Sequence, residues 1–334
     1  MVSLLAIQLK RIGDLVLTLP ALEALRRSYP AARLTLIIDG GCAGLAPAIR
    51  CVDHVLIYRK GRPNFKLWGR LFLRRYDAAF DFSGTDRSSA LTWLSKAKKR
   101  VAFEPNSDGE LRTGSYTHLV ESPVLERHTI DHNLDLVSSV GLPPNVPELQ
   151  LEIPKFAWSR ARDVLRHQGV NSPYVVLHVG AARAEKYWKP TSWAEVIEHL
   201  RELGRTCILI GGSSPMEREA ISEVQSLVEP KCVDVAGQLS LLASAALIAR
   251  ADLFVGVDSG PSHLAAAAKI PQITLFGPTN PFHWRARHDR SLVLQGGKNN
   301  PLTEFEPDPP AGNLKDLSTG DVIHAINLLL PEHF

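Results

Sequence analysis

Short apolar segments alternate with segments of helical period along almost the whole chain. In the first half, the pattern predicts strands near residues 3–9, 34–38, 54–58, 78–82 and 99–103 and helices near 15–29, 43–49, 64–73, 87–96 and 129–140. In the second half, it predicts strands near 174–180, 206–212, 232–237, 253–258 and 272–277 and helices near 192–204, 215–228, 240–251, 261–270 and 319–330. Strands that are apolar on both faces and separated by helices are typical of parallel sheets covered on both sides, so the pattern predicts an α/β fold.

A proline-rich segment without helical period, GLPPNVPELQLEIP (141–154), separates the two halves and is typical of a linker. Because 334 residues exceed what one core usually holds, we expect two Rossmann-like domains facing each other across a cleft, with the boundary after residue 153. Neither half carries G-x-G-x-x-G after its first strand or G-x-x-x-x-G-K-[ST], which argues against a nicotinamide dehydrogenase and a P-loop kinase.

Composition is that of an ordinary soluble protein, with no apolar run long enough to span a bilayer. The first strand begins within a few residues of the N-terminus, so we expect no signal peptide. The four cysteines show no metal-type or redox-type spacing and are expected to be reduced, mostly buried thiols. These features predict a cytoplasmic protein.

The net charge of +3 is unevenly distributed. Residues 1–150 contain 20 basic and 15 acidic side chains, residues 151–334 contain 18 and 20, and residues 59–100 contain 12 and 3. A basic face indicates an anionic partner, namely a phosphorylated substrate, an anionic membrane surface or a nucleic acid, unless it is only a solvated surface. Nucleic acid is the weakest of these interpretations, because we find no nucleic-acid motif and no interleaving of aromatic with basic residues.

The first predicted strand leads directly into the turn RIGD (11–14) and a helix. Asp14 could be a helix-capping residue, since Asp is a good N-cap and Gly13 eases the turn. It could also be a functional carboxylate, because open α/β sheets bind ligands in the crevice at the carboxyl ends of their strands. The residues of the turn alone leave both interpretations open.

The segment GVDSGPSHLAAAA (256–268) combines a buried strand end with an alanine-rich helix. Gly260 allows close approach of a ligand, and the first amides of the helix favour an anion. Asp258 could bind a ligand hydroxyl, and His263 lies in the first turns of the helix. Alternatively, Asp258 caps the helix and His263 only packs.

Two further segments offer charged side chains after predicted strands. In HVGAARAEKYWKP (178–190), Lys186 follows a loop of small residues and could clamp a phosphate, although it could be an ordinary surface lysine. In IGGSSPMERE (210–219), Glu217 lies early in a helix, where a carboxylate complements the helix dipole without any further role.

These motifs occur in order with DFSG-x-x-R (81–87), GG-x-x-x-M-E and VDSG-x-x-H-L-A-A-A, and together they resemble the ADP-heptose:lipopolysaccharide heptosyltransferases, glycosyltransferase family 9. The resemblance extends from the first strand to FGPTNP (276–281). It implies the GT-B fold, with an acceptor-binding domain over 1–153, a nucleotide-sugar-binding domain over 154–317 and a final helix, 318–334, that crosses back to the first domain.

The resemblance also implies the roles of individual residues. Asp14 would be the general base and Lys186 would neutralise the diphosphate leaving group, whose oxygens the amides of Ser259 and Gly260 would bind. The remaining expected donor-site residues are Gly180, Ala181, Ala182, Glu217, Leu239, Asp258 and His263, and the expected acceptor-site residues are Gly13, Ser83, Gly84 and Arg87. Glu217 would bind the nucleoside, and Leu239 occupies the position that contacts adenine.

The expected reaction is an inverting transfer of a heptose from ADP-heptose to a lipopolysaccharide core or related glycan. No D-x-D signature is found in the second half, so we expect no metal and no cofactor besides the donor substrate. The expected partners are an anionic glycolipid acceptor and the cytoplasmic face of a membrane, which Lys96, Lys98 and Lys99 would contact; the protein is expected to be a monomer.

One departure from the family pattern affects the donor. Members often carry hydroxyl side chains in the loop before the lysine, whereas this chain has Ala181 and Ala182, so phosphate contacts would come from the backbone or from Arg183. A GT-B transferase with another sugar nucleotide or acceptor, and a catalytically silent sugar-nucleotide-binding protein, are the alternatives.

Overall fold

The computed structural model describes residues 1–104, 114–139, 147–171 and 173–330. The chain divides into two compact units, Met1–Glu152 and Ile153–Phe334, one residue before the predicted boundary. The segment 318–334, which was expected to form a separate crossing helix, belongs to the second unit. Its crossing and the roles assigned to the two domains stay predictions.

The first unit is a six-stranded parallel sheet with helices after most strands. Its strands are β1 (Ser3–Gln8), β2 (Arg33–Asp39), β3 (His54–Tyr58), β4 (Ala78–Asp81), β5 (Lys99–Phe103) and β6 (His118–Val120), in the order β3-β2-β1-β4-β5-β6. Its helices are α1 (Ile12–Ser28), α2 (Phe65–Leu73), α3 (Asp86–Leu94) and α4 (Thr129–Ser138), with 3-10 segments at Gly40–Ala48 and Val124–Glu126. The apolar residues of the central strands β1, β2 and β4 are buried, as their sequence predicts.

The second unit repeats this architecture. Its strands are β7 (Tyr174–His178), β8 (Thr206–Leu209), β9 (Val233–Asp234), β10 (Leu253–Val257), β11 (Gln272–Phe276) and β12 (Ser291–Gln295), all parallel in the order β12-β11-β10-β7-β8-β9. Its helices are α5 (Lys155–His167), α6 (Pro190–Glu202), α7 (Pro215–Ser226), α8 (Leu241–Ile248), α9 (Gly260–Ala268), α10 (Pro281–Trp284) and α11 (Thr319–Leu329), with 3-10 segments at Ala184–Lys186 and Leu314–Asp316.

Both sheets have a topological switch point beside their first strand. In the first unit, β1 pairs with β2 on one side and β4 on the other; in the second unit, β7 pairs with β8 and β10. The connections leaving such a strand and its neighbour run to opposite sides, which opens a crevice at their carboxyl ends. The candidate residues of each unit follow these strands.

Helix α11 closes the second unit. Its residues Val322, Ala325 and Ile326 are fully buried in the core of this unit. Just before the helix, the Leu317 carbonyl accepts a hydrogen bond of 3.1 Å from the indole nitrogen of buried Trp188. Trp188 lies two residues after Lys186, so this bond anchors the loop that carries the candidate cation.

The elements differ from the predicted ones in a few places. The predicted helix at 43–49 is a 3-10 segment over Gly40–Ala48, because three glycines and Pro47 disfavour an α-helix. The predicted strand 232–237 pairs only over Val233–Asp234. Strands β6 and β12 and helices α5 and α10 were not predicted; both strands lie at sheet edges.

Candidate active site

Asp14 lies in the first turn of α1, directly after the carboxyl end of β1. The helix begins at Ile12, three residues earlier than predicted, and Arg11 is its N-cap. Asp14 is therefore not the N-cap: its Oδ2 accepts a long hydrogen bond of 3.2 Å from the Arg11 backbone N–H. The side chain is half-buried, and no other hydrogen bond to it is seen within the described residues. Gly13 beside it is buried.

Uncharged polar side chains fix the backbone behind Asp14. The Thr18 hydroxyl donates to the Asp14 carbonyl at 2.7 Å and accepts from Gln8 Nε2 at 2.9 Å. Asn133 Nδ2, from α4, donates to the Leu17 carbonyl at 3.1 Å. Because these groups are buried and satisfied, they hold the first turn of α1 without placing a charge beside the carboxylate.

Ser83 ties the end of β4 to the end of β1. Its hydroxyl accepts a hydrogen bond of 2.7 Å from the Leu9 backbone N–H, and the residue is 6% exposed. The backbone N–H groups of Ser83 and Gly84 donate to Asp81 Oδ1 at 2.8 and 3.2 Å. Asp81 is fully buried, and burial raises the pKa of its carboxyl group. Gly84 has a φ of +61°, which favours glycine there.

The expected acceptor residues are thus brought to one sheet edge but have different environments. Gly13, Ser83, Gly84 and Arg87 all follow β1 or β4, which are neighbours in the sheet. Ser83 braces the two strand ends from a buried position, whereas Arg87 is exposed in the first turn of α3. Their roles toward an acceptor stay predictions.

In the second unit, Lys186 forms an ion pair with Asp258 across the switch point. Lys186 Nζ lies 2.5 Å from Asp258 Oδ2 and 3.2 Å from the Asp258 carbonyl oxygen. The side chains are 17% and 7% exposed, so most of each is shielded from water. The family resemblance implied separate roles for these two residues toward a donor; the structure shows that they are also each other's ion-pair partner.

Helix α9 begins directly after this ion pair. Ser259 is its N-cap, and its backbone N–H donates a long bond of 3.4 Å to Ser262 Oγ. The Ser259 amide, which was expected to bind a phosphate oxygen, therefore already has an intramolecular acceptor. Gly260 is the first residue of the helix, where N–H groups have no acceptor within the helix, and such a terminus attracts anions.

A buried histidine, His178, connects Glu217 to the start of α9. It is the last residue of β7; its Nδ1 lies 3.0 Å from Ser259 Oγ and its Nε2 lies 3.6 Å from Glu217 Oε1. Glu217 also accepts from the Ser214 hydroxyl at 2.9 Å and the Gly212 N–H at 3.3 Å. The interaction with His178 and these hydrogen bonds lower the pKa of Glu217 to about 2.

His178 was not among the predicted site residues. The available signal was a polar residue at the carboxyl end of a strand that is apolar on both faces, YVVLH. Glu217 was expected on residue chemistry alone to be a helix-start residue, and it is in the first turn of α7. Its carboxylate additionally points toward β7: a Cβ at Gly180 would lie 2.9 Å from Glu217 Cγ. Glycine at position 180 therefore makes room for this side chain.

The remaining expected donor residues surround this edge of the second sheet. Ala181 is buried, and its carbonyl accepts from the Tyr187 hydroxyl at 2.8 Å; Ala182 is exposed. Leu239 is half-buried in the turn before α8, and His263 is buried on α9. Arg183, the expected substitute for hydroxyl side chains, is paired with Glu185 at 2.8 Å.

The two sheet edges therefore carry different chemistry. The first holds a half-buried carboxylate that can accept a proton, and the second holds a lysine, two carboxylates and a helix N-terminus that can bind an anion bearing hydroxyl groups. No cluster of three or more His, Cys, Asp or Glu side chains suited to a metal occurs within residues 1–104, 114–139, 147–171 and 173–330. In the same ranges, no helix has the length and apolarity required to cross a membrane.

Comparison with protein families finds one match that covers most of the chain. The family model described as glycosyltransferase family 9 (heptosyltransferase) matches residues 64–314. Among curated proteins, lipopolysaccharide heptosyltransferase 3 of Escherichia coli is 27% identical over 331 residues, which cover 96% of each chain.

Solved structures show a similar fold. A glycosyltransferase family 9 structure from Veillonella parvula gives a TM-score of 0.86 at 24% identity, covering 99% of this chain and 97% of that one. The structure of E. coli heptosyltransferase WaaC with ADP-2-deoxy-2-fluoro heptose gives a TM-score of 0.73 at 22% identity. The match covers 98% of this chain and 100% of that one. The predicted fold class, α/β with two Rossmann-like units of the GT-B type, is confirmed.

Proposed function

Because the chain belongs to glycosyltransferase family 9, the heptosyltransferases, it is a glycosyltransferase, and we propose that it transfers a heptose from ADP-heptose to a lipopolysaccharide core or related glycan. We propose that the transfer inverts the anomeric centre and needs neither metal nor cofactor. The proposal includes a cytoplasmic location, action at the membrane face and a monomeric state.

The observation that carries the donor proposal is the group of charges at the switch point of the second sheet. Lys186 is paired with Asp258, α9 begins two residues after Asp258, and both the lysine and the helix N-terminus favour an anion. A diphosphate bound there would take over part of the hydrogen bonding of Lys186 from Asp258. Asp258 and Glu217 would then accept hydrogen bonds from donor hydroxyl groups. The similar fold of E. coli WaaC, solved with ADP-2-deoxy-2-fluoro heptose, supports this choice of donor.

On the acceptor side, we assign Asp14 as the general base. It takes the proton of the acceptor hydroxyl as that oxygen bonds to the anomeric carbon, and the bond from this carbon to the diphosphate breaks with its electron pair leaving on ADP. A single displacement of this kind inverts the anomeric centre. Lys186 and the amides of α9 stabilise the charge that develops on ADP, which is the role a metal ion plays in other transferases.

The experiment is a transfer assay read by mass spectrometry. The purified protein is incubated with ADP-heptose, or with UDP- or GDP-linked sugars, and candidate core acceptors, with and without excess EDTA. We expect a mass gain of one heptose only with ADP-heptose, unchanged by EDTA. Loss of activity in EDTA with rescue by Mg²⁺ or Mn²⁺ would refute the metal-independent mechanism, and absence of transfer by any donor would favour a silent binding protein.

A GT-B transferase for a different sugar nucleotide is the second candidate. The observation that favours it is the pair Ala181–Ala182, which offers no hydroxyl group to the diphosphate, while the neighbouring Arg183 is held by Glu185. Stabilisation of the protein against heat by UDP or GDP, but not by ADP, would identify this alternative.

A further inference from the structure

Helix α2 exposes its aromatic residues. Only Leu67 and Leu71 are buried in the core of the first unit, while Phe65, Trp68 and Phe72 are 72%, 38% and 58% exposed. Their spacing of three and four residues places these aromatic rings in one stripe along the helix. The rings of Phe65 and Trp68 pack edge to face, with their centroids 5.5 Å apart.

Two more large apolar side chains are exposed on α2 and the helix packed beside it. Leu73, the last residue of α2, is 82% exposed, and Trp93, on the neighbouring α3, is 63% exposed. We call Phe65, Trp68, Phe72, Leu73 and Trp93 the exposed apolar face. Scattered exposed apolar residues are normal, but several large ones on two packed helices are typical of a binding surface.

Cations border the exposed apolar face. Lys66 and Arg70 are exposed on α2, and Lys96 places its ammonium group 3.9 Å from the centre of the Phe72 ring. Lys96 has a φ of +52°, a strained backbone for a lysine, and it follows α3 closely. Basic residues also precede and follow α2, namely Arg59, Lys60, Arg62, Arg74 and Arg75.

This arrangement corrects the sequence-based interpretation of the basic segment. The aromatic residues are interleaved with the basic ones after all, and they are exposed rather than buried. Among the lysines expected to contact a membrane, Lys98 is paired with Asp77 at 3.0 Å, whereas Lys96 belongs to the border of the exposed apolar face. The charge and the apolar surface therefore coincide on α2 and the end of α3.

We propose that the exposed apolar face inserts into the interfacial layer of an anionic lipid bilayer, with Lys66, Arg70 and Lys96 contacting the lipid headgroups. Aromatic side chains favour this layer, where the rings are in contact with acyl chains and the cations stay hydrated. A bilayer fits better than a nucleic acid because the exposed apolar face includes the aliphatic Leu73. The inference specifies the surface behind the proposed action at the membrane face and so rests on the proposed function.

The test uses co-sedimentation of the full-length protein with phosphatidylcholine vesicles that contain no glycan acceptor. The vesicles contain either no phosphatidylglycerol or roughly 30% of this anionic lipid. We expect binding only to the anionic vesicles, decreasing as salt rises. The double variant Phe65→Ser/Leu73→Ser should lower the partition coefficient at least about tenfold, since two large apolar side chains no longer enter the bilayer. The variant Lys66→Glu/Arg70→Glu should lower the partition coefficient more than the apolar variant does, by about fivefold or more for each reversed charge.

The matched control lies on α5, which carries exposed Phe156 and Arg162 but no second exposed large apolar side chain among its described residues. Phe156→Ser/Arg162→Glu should bind vesicles like the wild type. Equal binding by Phe65→Ser/Leu73→Ser and the wild type would overturn the proposal. The proposal would also be overturned if the wild type did not bind anionic vesicles at low salt, or if it bound oligonucleotides in preference to vesicles. Dimers of the wild type that the Phe65→Ser/Leu73→Ser variant does not form would overturn it as well.

Failure of this proposal is distinguishable from failure of the proposed function. The Phe65→Ser/Leu73→Ser variant should keep wild-type ADP binding and wild-type transfer to a water-soluble acceptor lacking acyl chains. If neither the wild type nor this variant transfers a heptose but the wild type still binds vesicles more tightly, the proposed reaction is wrong and the proposed membrane-binding surface is supported.

Discussion

The charged side chains at the switch points of the two sheets have different surroundings. At the first, Asp14 has one long hydrogen bond from its own helix and is supported by the neutral side chains of Gln8, Thr18 and Asn133. At the second, Lys186 and Asp258 form a close ion pair. The same topology therefore presents a carboxylate with no ion-pair partner among the described residues in one unit and a paired set of charges in the other.

This difference fits the roles that we propose for the two edges. A general base must have a lone pair available, and a cation beside it would reduce its basicity. An anion site, in contrast, must satisfy its charges before the ligand arrives, because a buried unpaired charge is costly. Neutral support for Asp14 and mutual pairing of Lys186 with Asp258 meet these two requirements.

The strongest test of the comparison is Asp14→Asn. Asparagine can still accept the hydrogen bond from the Arg11 N–H but cannot take the acceptor proton. We expect kcat to fall by ~10²–10⁴-fold, the usual contribution of a general base. Steady-state kinetics measures this loss, while the melting temperature and the ADP affinity should stay unchanged. Normal turnover by the variant would mean that Asp14 only supports the helix start.

The second test separates binding from stability at the ion pair. Lys186→Ala should weaken ADP binding by about 1.5–3 kcal/mol, because a charge-assisted hydrogen bond is lost. It should also destabilise the protein by roughly 3–5 kcal/mol, because Asp258 is left buried and unpaired. Calorimetry and urea unfolding measure the two effects.

The control for this test is Lys186→Ala/Asp258→Asn. Compared with Lys186→Ala, this double variant should regain much of the lost unfolding free energy, because no buried charge is left unpaired. It should regain none of the lost ADP affinity. Unchanged ADP affinity in Lys186→Ala would exclude the lysine from the donor site.

A third test uses pH at Glu217. Its pKa is lowered to about 2, so its interactions stabilise the folded state above the ordinary glutamate pKa and are lost as pH falls toward 2. Glu217→Gln should cost ~1–3 kcal/mol of unfolding free energy at pH 7. The difference from the wild type, measured by urea unfolding, should shrink from about pH 5 downward. A difference that is constant between pH 7 and pH 3 would contradict the role of the ionised carboxylate.

The smallest expected effect is at Arg87. This side chain is exposed, so Arg87→Ala should leave stability within ~0.5 kcal/mol of the wild type. If Arg87 contacts the anionic acceptor, the acceptor KM should rise severalfold with the donor KM unchanged. Arg160→Ala, at an exposed arginine of α5, is the control and should change neither constant.

The sequence predicted the central strands of both sheets well because these strands are buried on both faces. Segments such as LLAIQ and FVGV are apolar almost throughout, and only a covered parallel strand tolerates that pattern. Edge strand β6, HLV, was missed because it is three residues long and mostly exposed. Helix α5 was missed although its buried residues Ala157, Ala161 and Val164 keep a helical spacing.

The candidate site was predictable as a set of residues but not as a set of contacts. The strand-to-helix turns identified Asp14 and Asp258, since ligands bind at such turns. The pairing of Lys186 with Asp258 joins residues 72 positions apart, and no local pattern specifies it. His178 was missed because one histidine in an apolar strand has no periodic signal. Exposure of the aromatic rings on α2 depends on which side of the helix meets the core, which tertiary packing decides.

The bond from Trp188 to Leu317 has a practical consequence for handling this protein. It spans 129 positions of sequence, so the last helix and the Lys186 loop are mechanically linked. Proteolytic trimming into α11, or a C-terminal tag that perturbs this helix, is therefore expected to displace the loop and to change the measured nucleotide affinity. Tags for binding studies belong at the N-terminus, where Met1 is 94% exposed.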